Sequence, residues 1–464
     1  MQKNIVQCVK NCKVRDHFGT GAIWGRSLVT FCSQKATKLR PQMAPVPNRL
    51  SVPKWLCHSF KLWTTAIFKY FSSYGEDVRI SSDSKQKTED MIMSKITTPY
   101  RYDFVGSFLR PQRLKEAKIS FQNNEITQEA YDEIVNEEIT KVVAKQKELG
   151  FHVITDGEFR RTFWHLDFMW GLEGVAHENT GNGVQFDAEL AVLDDTYLVG
   201  KIKAKAHPFV EYFKFLKQFE DENTVAKYTI PAPAQTFQQM VVPMNLENTR
   251  KYYATNEELI KDIGKAYQEV IKQFYDAGCR NLQLDDCTWG AVVGDAAALR
   301  YKSLGENLED VKQQLLEVNN LALEGKPEDM VITSHICRGN YHSTFFTSGP
   351  YDTVADYVFA KENVDALFLE YDDERSGGFA PLAKVSEDKT VVLGLITTKS
   401  PVLEDKKTVI KRINEAARYI PLDRLCLSPQ CGFASCEIGN KLTEEEQWAK
   451  LRLVKEIAEE VWGE

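Results

Sequence analysis

The sequence predicts an α/β fold: a (β/α)8 barrel preceded by a poorly ordered, basic N-terminal extension. Three observations predict it. From about residue 100, eight short apolar runs alternate with amphipathic helices. The runs are apolar on both faces, as strands of a parallel sheet are when helices cover it. Residues 1–90 share neither pattern. Eight such units suit a closed barrel, and an open doubly wound sheet is the alternative.

The first element is the leader, residues 1–95. Its first 90 residues hold 15 Lys and Arg against 6 Asp and Glu, and up to Gly75 its only acid is Asp16. They lack sustained periodicity and end in the polar run SSDSKQKTED (81–90). Basic, acid-poor leaders resemble organelle-targeting segments, and WLCHSFKLWTTAIFKYF (55–71) has the mixture of a membrane-surface segment. The plainer expectation is a poorly ordered or unused extension, with Met91 or Met93 as a natural start to the folded unit and a cytoplasmic location. The rest of the chain is acidic, with 43 basic and 60 acidic residues. That argues against nucleic acid as the main partner, and no stretch has the length of a spanning apolar helix.

The runs follow in order: DFVGSF (103–108), FHVITDGE (151–158), KYTIPAP (227–233), NLQLDD (281–286), MVITSHIC (330–337), ALFLEY (366–371), TVVLGLITT (390–398) and RLCLSPQCG (424–432). Between the first two, residues 127–149 place Tyr131, Ile134, Val135, Ile139, Val142 and Val143 along one side, with Thr127 as cap and Gly150 as stop. Residues 257–277 follow Asn256 as cap and stop at Gly278. Thr443 and Glu446 give a capping box for the last helix. Residues 159–226 are too long for a simple strand-to-helix connection. Within them NGVQF and TYLVGKIKA are expected to form a hairpin over the barrel mouth.

Chemistry in a barrel gathers at the carboxyl ends of the strands. His335 and Cys337 end the fifth run, two positions apart, so both side chains face one way. Glu370 ends the sixth run and Cys431 the eighth. Singly, each has an ordinary role: a cysteine as a small hydrophobe, a histidine as hydrogen-bonded structure, Glu370 as a partner for Arg375. Together they make a donor set of nitrogen, sulfur and oxygen suited to Zn²⁺. Cys426 reads as core, while Cys436 and His342 are weaker alternative ligands. The carboxylate is the most displaceable of the four. An incoming thiol that replaced it would lose its proton and become a nucleophile at neutral pH.

At these residues the chain resembles the catalytic barrel of cobalamin-independent methionine synthase, and more closely its short single-barrel relatives. The likeness spans about residues 98–462. It makes residues 96–464 a zinc-dependent methyltransferase barrel with 159–226 inserted at the mouth. The family's H-x-C, Glu and P-x-C-G pattern is met by His335, Cys337, Glu370 and Cys431. The resemblance implies that Val105 and Ser107, in the VGSF loop, contact homocysteine through the backbone. It implies that Glu158 and Asp285 hold the amino group, for which buried carboxylates are apt partners. Structural alternatives are a salt bridge to Arg160 or Arg161 for Glu158, and capping or a bridge to Arg280 for Asp285 and Asp286.

The implied reaction moves a methyl group from 5-methyltetrahydrofolate, in mono- or polyglutamylated form, to homocysteine, giving methionine. Three departures bear on the donor. The chain has no room for the N-terminal barrel of the two-barrel enzyme. Gln239, in IPAPAQTFQQ, stands where the family has a folate-stacking tryptophan, leaving Trp164, Trp170 and Trp289 as substitutes. Lys399, in TTKSP, replaces the proton-donating histidine, and Asp286 is a second acid candidate. Arg160 and Arg161 are candidates for an anionic folate tail. A corrinoid donor, another small thiol, and a non-catalytic zinc barrel are the rival readings. The expected partners are small molecules, with a homo-oligomer left open.

Overall fold

Helices and strands alternate because the chain alternates between two periodicities. The computed structural model describes residues 98–463, apart from 182, 187 and 188. The predicted leader, residues 1–95, therefore lies outside the described residues. All eight apolar runs enter a network of parallel backbone contacts. In chain order the strands are β1 (Val153–Ile154), β2 (Glu173–Glu178), β3 (Gly183–Gln185), β4 (Leu190–Val192), β5 (Asp195–Lys203), β6 (Val225–Ala226), β7 (Tyr228–Pro231), β8 (Asn281–Asp286), β9 (Val331–Ile336), β10 (Ala366–Glu370), β11 (Thr390–Ile396) and β12 (Leu425–Pro429).

Strands β7 to β12 form one six-stranded parallel sheet in sequence order. β1 pairs in parallel with β6, and Lys227 N donates to Ile154 O at 2.8 Å, which carries the pairing towards β7. At the other edge Asp103 N donates to Leu427 O and Leu427 N to Arg101 O. Phe108 N reaches Gly157 O at 3.1 Å, beside a parallel bridge between Ser107 and Gly157. The first run thus contacts both β12 and the segment after β1.

The helices obey their sequence signals. Gln128–Glu148 is capped by Thr127, whose Oγ1 accepts from Ala130 N, and Gly150 ends the turn with φ +81°. Asn256–Asp276 is capped by Thr255 rather than the expected Asn256, because threonine one residue earlier reaches Glu258 N. The capping box of Thr443 and Glu446 opens the helix Glu444–Trp462. Large apolar side chains from both layers fill the space between strands and helices. Cys426 is buried with Phe368 and Val392 in a small separate cluster, as core. Among the described residues no helix is long and apolar enough to cross a membrane.

One expectation is corrected. NGVQF and TYLVGKIKA do not pair with each other. The first supplies β3, which pairs with β4 across a short turn, and the second supplies β5, which pairs with β2. Leu190–Val192 lies closer along the chain and takes the partner's place. The segment 159–226 also contains the helix Pro208–Lys217 and β6, so part of it belongs to the strand-and-helix body.

Candidate metal centre and substrate cavity

Register brings the first donors together. β8 and β9 pair with Asp285 opposite His335, and β9 and β10 with His335 opposite Phe368. Cys337 N donates to Asp286 O just beyond the strand end. Cys431 follows β12, on the far side of β10 and β11. The result is a buried group, His335, Cys337, Glu370 and Cys431, each offering one donor atom within 4.8 Å of the others. The Sγ atoms of Cys337 and Cys431 are 3.7 Å apart, far beyond the ~2.05 Å of a disulfide.

The donors are individually oriented. His335 Nδ1 lies 3.1 Å from Asp285 Oδ1, and Nε2 lies 3.2 Å from Gln430 O. Glu370 Oε1 accepts from Arg338 N at 2.8 Å, and Oε2 accepts from Arg375 Nη2 at 3.1 Å. The predicted Arg375 pairing is therefore real and coexists with the donor cluster, since a carboxylate has lone pairs for both. The neighbouring Cys287 and burial push the Cys337 thiol well up, and Cys337 and burial do the same to Cys431. Burial disfavours charge on His335, but Asp285 and Cys431 outweigh it and raise its pKa. Thiols this reluctant to ionise alone are ones that a cation would complete.

A cavity of about 240 Å³ lies against this group, lined by His335, Cys337 and Cys431 and by Val105, Ser107, Glu158 and Asp285. Glu370 is not on its wall and stands behind. Gly157 and Glu158 both have left-handed backbones, φ +67° and +62°. Such a conformation is uncommon outside glycine, and here it accompanies a Glu158 carboxylate on the cavity wall. Glu158 Oε1 accepts from Thr229 Oγ1 at 2.7 Å and meets Arg161 at 3.2 Å, while Oε2 is buried without a partner. Burial holds its pKa above the usual carboxylate range, against the pull of Arg161. Ser107 Oγ accepts from Ala434 N, and a side chain at Gly432 would overlap that oxygen. The VGSF loop and the loop after β12 need this close approach.

The other predicted residues lie elsewhere. Arg161 is buried, gives two hydrogen bonds to Thr229 and stacks over Phe209, so it braces Glu158. Arg160 bonds Asn136 and stacks over Tyr212 and Phe215. Neither arginine lines the cavity. Asp286 accepts from Thr288 N and Oγ1 and from Asn319 Nδ2, a cap held under the sheet. Lys399 Nζ pairs with Asp372 at 2.5 Å, and Asp372 also pairs with Arg375. Lys399 therefore anchors the network behind Glu370, and the structure brings neither acid candidate to the cavity. His342 bonds Glu189 in a loop, and Cys436 reaches the cavity without joining the four donors.

Of the three tryptophans, Trp164 lines the cavity. Trp289 is fully buried, and Trp170 stacks on His177 and bonds Thr196. Sequence reasoning passed over three wall features. Cys287 directly follows the strand end LDD, beside Cys337. Gln235 and Gln238 join Gln239 on the wall, on the helix Pro233–Val241. Val184, Phe186 and Ala191 come from the β3–β4 hairpin. Cys287 had a signal, a thiol at a strand's carboxyl end. The hairpin residues had none.

A parallel-stranded α/β fold with a buried His, Cys, Glu and Cys cluster beside a carboxylate-lined cavity defines a class of small-molecule enzyme. Comparison with known proteins supplies the family. Residues 102–460 match the model of the catalytic domain of cobalamin-independent synthase, and the chain belongs to that family. It is 45% identical over 378 residues to the uncharacterized protein YxjH of Bacillus subtilis, covering 81% of this chain and 97% of that one. A solved Listeria monocytogenes structure, described as a candidate vitamin-B12-independent methionine synthase, shares 39% identity with a TM-score of 0.62. The match covers 79% of this chain and 99% of that one. The 5-methyltetrahydropteroyltriglutamate–homocysteine methyltransferase of Thermosynechococcus vestitus is 22% identical, over 71% of this chain and 39% of that protein.

Proposed function

We propose that the protein is a zinc-dependent methyltransferase that moves a methyl group from 5-methyltetrahydrofolate to the thiol of homocysteine, giving methionine. One observation carries the reading: the His335, Cys337, Glu370 and Cys431 cluster borders a cavity that also holds Glu158 and Asp285. The separation of the two sulfurs fits zinc. Zn–S bonds of ~2.3 Å at a tetrahedral angle place two sulfurs about 3.8 Å apart, against 3.7 Å between Cys337 and Cys431. We read the strand contacts as a closed (β/α)8 barrel. On this reading residues 96–464 form one catalytic domain, with the hairpins of 159–226 at its mouth.

When bound, zinc supplies a Lewis acid that keeps a substrate thiol ionised at neutral pH. The protein's own residues supply the rest. Asp285 fixes the His335 ring through Nδ1, and Nε2, which faces Gln430 O, would be the ligand atom once it gives up its proton. Arg338 N and Arg375 hold Glu370 in place, and Lys399 and Asp372 hold Arg375. The unpartnered Oε2 of Glu158 takes the substrate ammonium, and Asp285 shares that charge. Val105 and Ser107 bound the amino-acid end of the cavity. Of the three candidate tryptophans, Trp164 is the one on the wall, where it would stack on the donor beside Phe186 and Tyr341. Positioning both substrates in one site contributes much of the barrier reduction.

The row of Gln235, Gln238 and Gln239 favours a second reading of the donor. Gln239 stands where the family carries an aromatic ring, Gln235 and Gln238 lie beside it on the wall, and the three neutral amides suit an amide-bearing corrinoid as well as a pterin. The test is methionine formation from homocysteine by zinc-loaded protein, with methyltetrahydrofolate and methylcobalamin in parallel. Turnover with the folate alone supports the first reading, turnover with the corrinoid alone supports the second, and turnover with neither rejects both.

A further inference from the structure

Arg110 lies in the short link between the VGSF loop and the helix Gln112–Gln122. Its guanidinium is buried, and its five hydrogen bonds all go to backbone carbonyls. Nη1 donates to Phe108 O at 2.9 Å, Ala434 O at 3.0 Å and Gly157 O at 3.3 Å. Nη2 donates to Glu158 O at 2.7 Å and Arg161 O at 3.2 Å. A charge is costly to bury unless polar groups replace its water, and here carbonyl dipoles do so. Three segments far apart in the chain meet on this one side chain. Each carries residues of the cavity wall: Val105 and Ser107, then Glu158, then Cys431 and Ser435. The middle segment has most need of a clamp. Gly157 and Glu158 are consecutive left-handed residues, and such a turn persists only where its surroundings over-determine it. Arg110 takes the carbonyls of both. It also takes the carbonyl of Arg161, whose side chain meets Glu158 Oε1 at 3.2 Å. The direction of the unpartnered Glu158 Oε2 is therefore set through Arg110 twice, by its own backbone and by its brace.

We propose that Arg110 is the positioning residue that makes the cavity select a thiol bearing a free α-ammonium group. This rests on the reading of Glu158 as the ammonium partner and names the side chain that aims it. Arg110 is not on the cavity wall and touches no substrate. Its bond to Ala434 O ties the loop that carries Cys431 to the turn that carries Glu158. The spacing between the thiol end and the ammonium end is thereby fixed. With that spacing fixed, a thiol without the ammonium leaves a buried carboxylate unpaired and binds more weakly. Arginine suits the task because its donors lie in one rigid plane and reach several acceptors at once. Lysine would keep the charge but offers three donors on a flexible stem, and glutamine offers two without the charge.

The test measures direct binding of homocysteine and of its desamino analogue, the same thiol acid without the amino group, to zinc-loaded protein. It compares the wild type with Arg110→Lys and Arg110→Gln, with zinc content and Tm recorded for each. The wild type is expected to prefer homocysteine. Arg110→Gln should lower that preference about tenfold, the equivalent of roughly 1.4 kcal/mol, and Arg110→Lys should lower it less. Both variants should keep their zinc and their affinity for the desamino thiol. If Arg110→Gln does not fold, Arg110→Lys decides by the same comparison. An unchanged preference in the folded variants overturns the role of Arg110 and leaves the proposed function intact. So does an equal weakening of both thiols, which a merely structural role would give. Failure of the wild type to bind homocysteine overturns the proposed function as well.

Discussion

His335 and Val184 face the same cavity, yet one is fixed by strand register and the other by a hairpin that the sequence mispaired. The floor of the cavity is built from strand ends. Asp285 lies opposite His335 because β8 and β9 are in register, and Glu370 ends a strand paired on both sides. All four donors are buried. The roof is built from an inserted segment and one helix. Val184 and Leu190 are exposed, and Phe186 makes ring contacts with Tyr341 and Phe346. Parallel pairing leaves the floor few alternatives, whereas hairpin packing leaves the roof free to vary. On the proposed function, this ties the thiol end of the cavity to the fold and leaves the donor end free to change.

The sharpest way to break this contrast is to strike the floor. Cys431→Ser should abolish zinc retention, measured by metal analysis of purified protein, and methionine formation with it, since serine is a poor ligand at a soft site. Normal metal content and turnover in that variant would detach the cluster from function. A smaller effect separates the metal from the substrate. Glu158→Gln should keep its zinc but raise the KM for homocysteine about ten- to hundredfold, the range expected for losing one charged hydrogen bond of roughly 1.5–3 kcal/mol. Loss of zinc in this variant would place Glu158 in the metal site instead.

Striking the roof should do less. Phe186→Ala should raise the KM for the methyl donor several-fold and leave zinc content and homocysteine binding unchanged, read by steady-state kinetics with each substrate varied. An equal effect on both substrates would erase the distinction between roof and floor. A separate effect, on stability alone, lies beneath the floor. Burial, helped by Asp286, pushes the Glu362 carboxyl from 4.5 up to about 8. The folded state then binds a proton more tightly than the unfolded chain, so this group's favourable contribution is complete below about pH 4.5. It falls as pH rises towards 8 and is gone above it. Glu362→Gln should therefore raise Tm more at pH 8.5 than at pH 5, and a gain that is equal at both would show that Glu362 does not titrate as argued.

Much of the floor was legible in the sequence because strands write their ends plainly. H-x-C after MVITS, and the glutamate and cysteine closing later runs, needed only the two-residue period of a strand and the rule that chemistry gathers at carboxyl ends. The helix caps were legible for the same reason, save Thr255, which won the cap from Asn256 by one residue. Lys399 and Asp286 were not legible. Their chain positions place them near strand ends, but side-chain direction decided against them. Lys399 found Asp372, and Asp286 found Thr288 and Asn319. Arg160 and Arg161 likewise lie off the cavity wall, Arg161 beside the buried Glu158. The roof was least legible, since β3 had both β4 and the longer β5 within reach along the chain.

The central claim is that the floor holds a metal and lends it to a thiol. Zinc-edge X-ray absorption on the loaded protein, before and after homocysteine is added, tests it most directly. The account predicts two sulfur neighbours from Cys337 and Cys431, rising to three when the substrate thiol joins them. A sulfur count that stays the same at saturating homocysteine would contradict it.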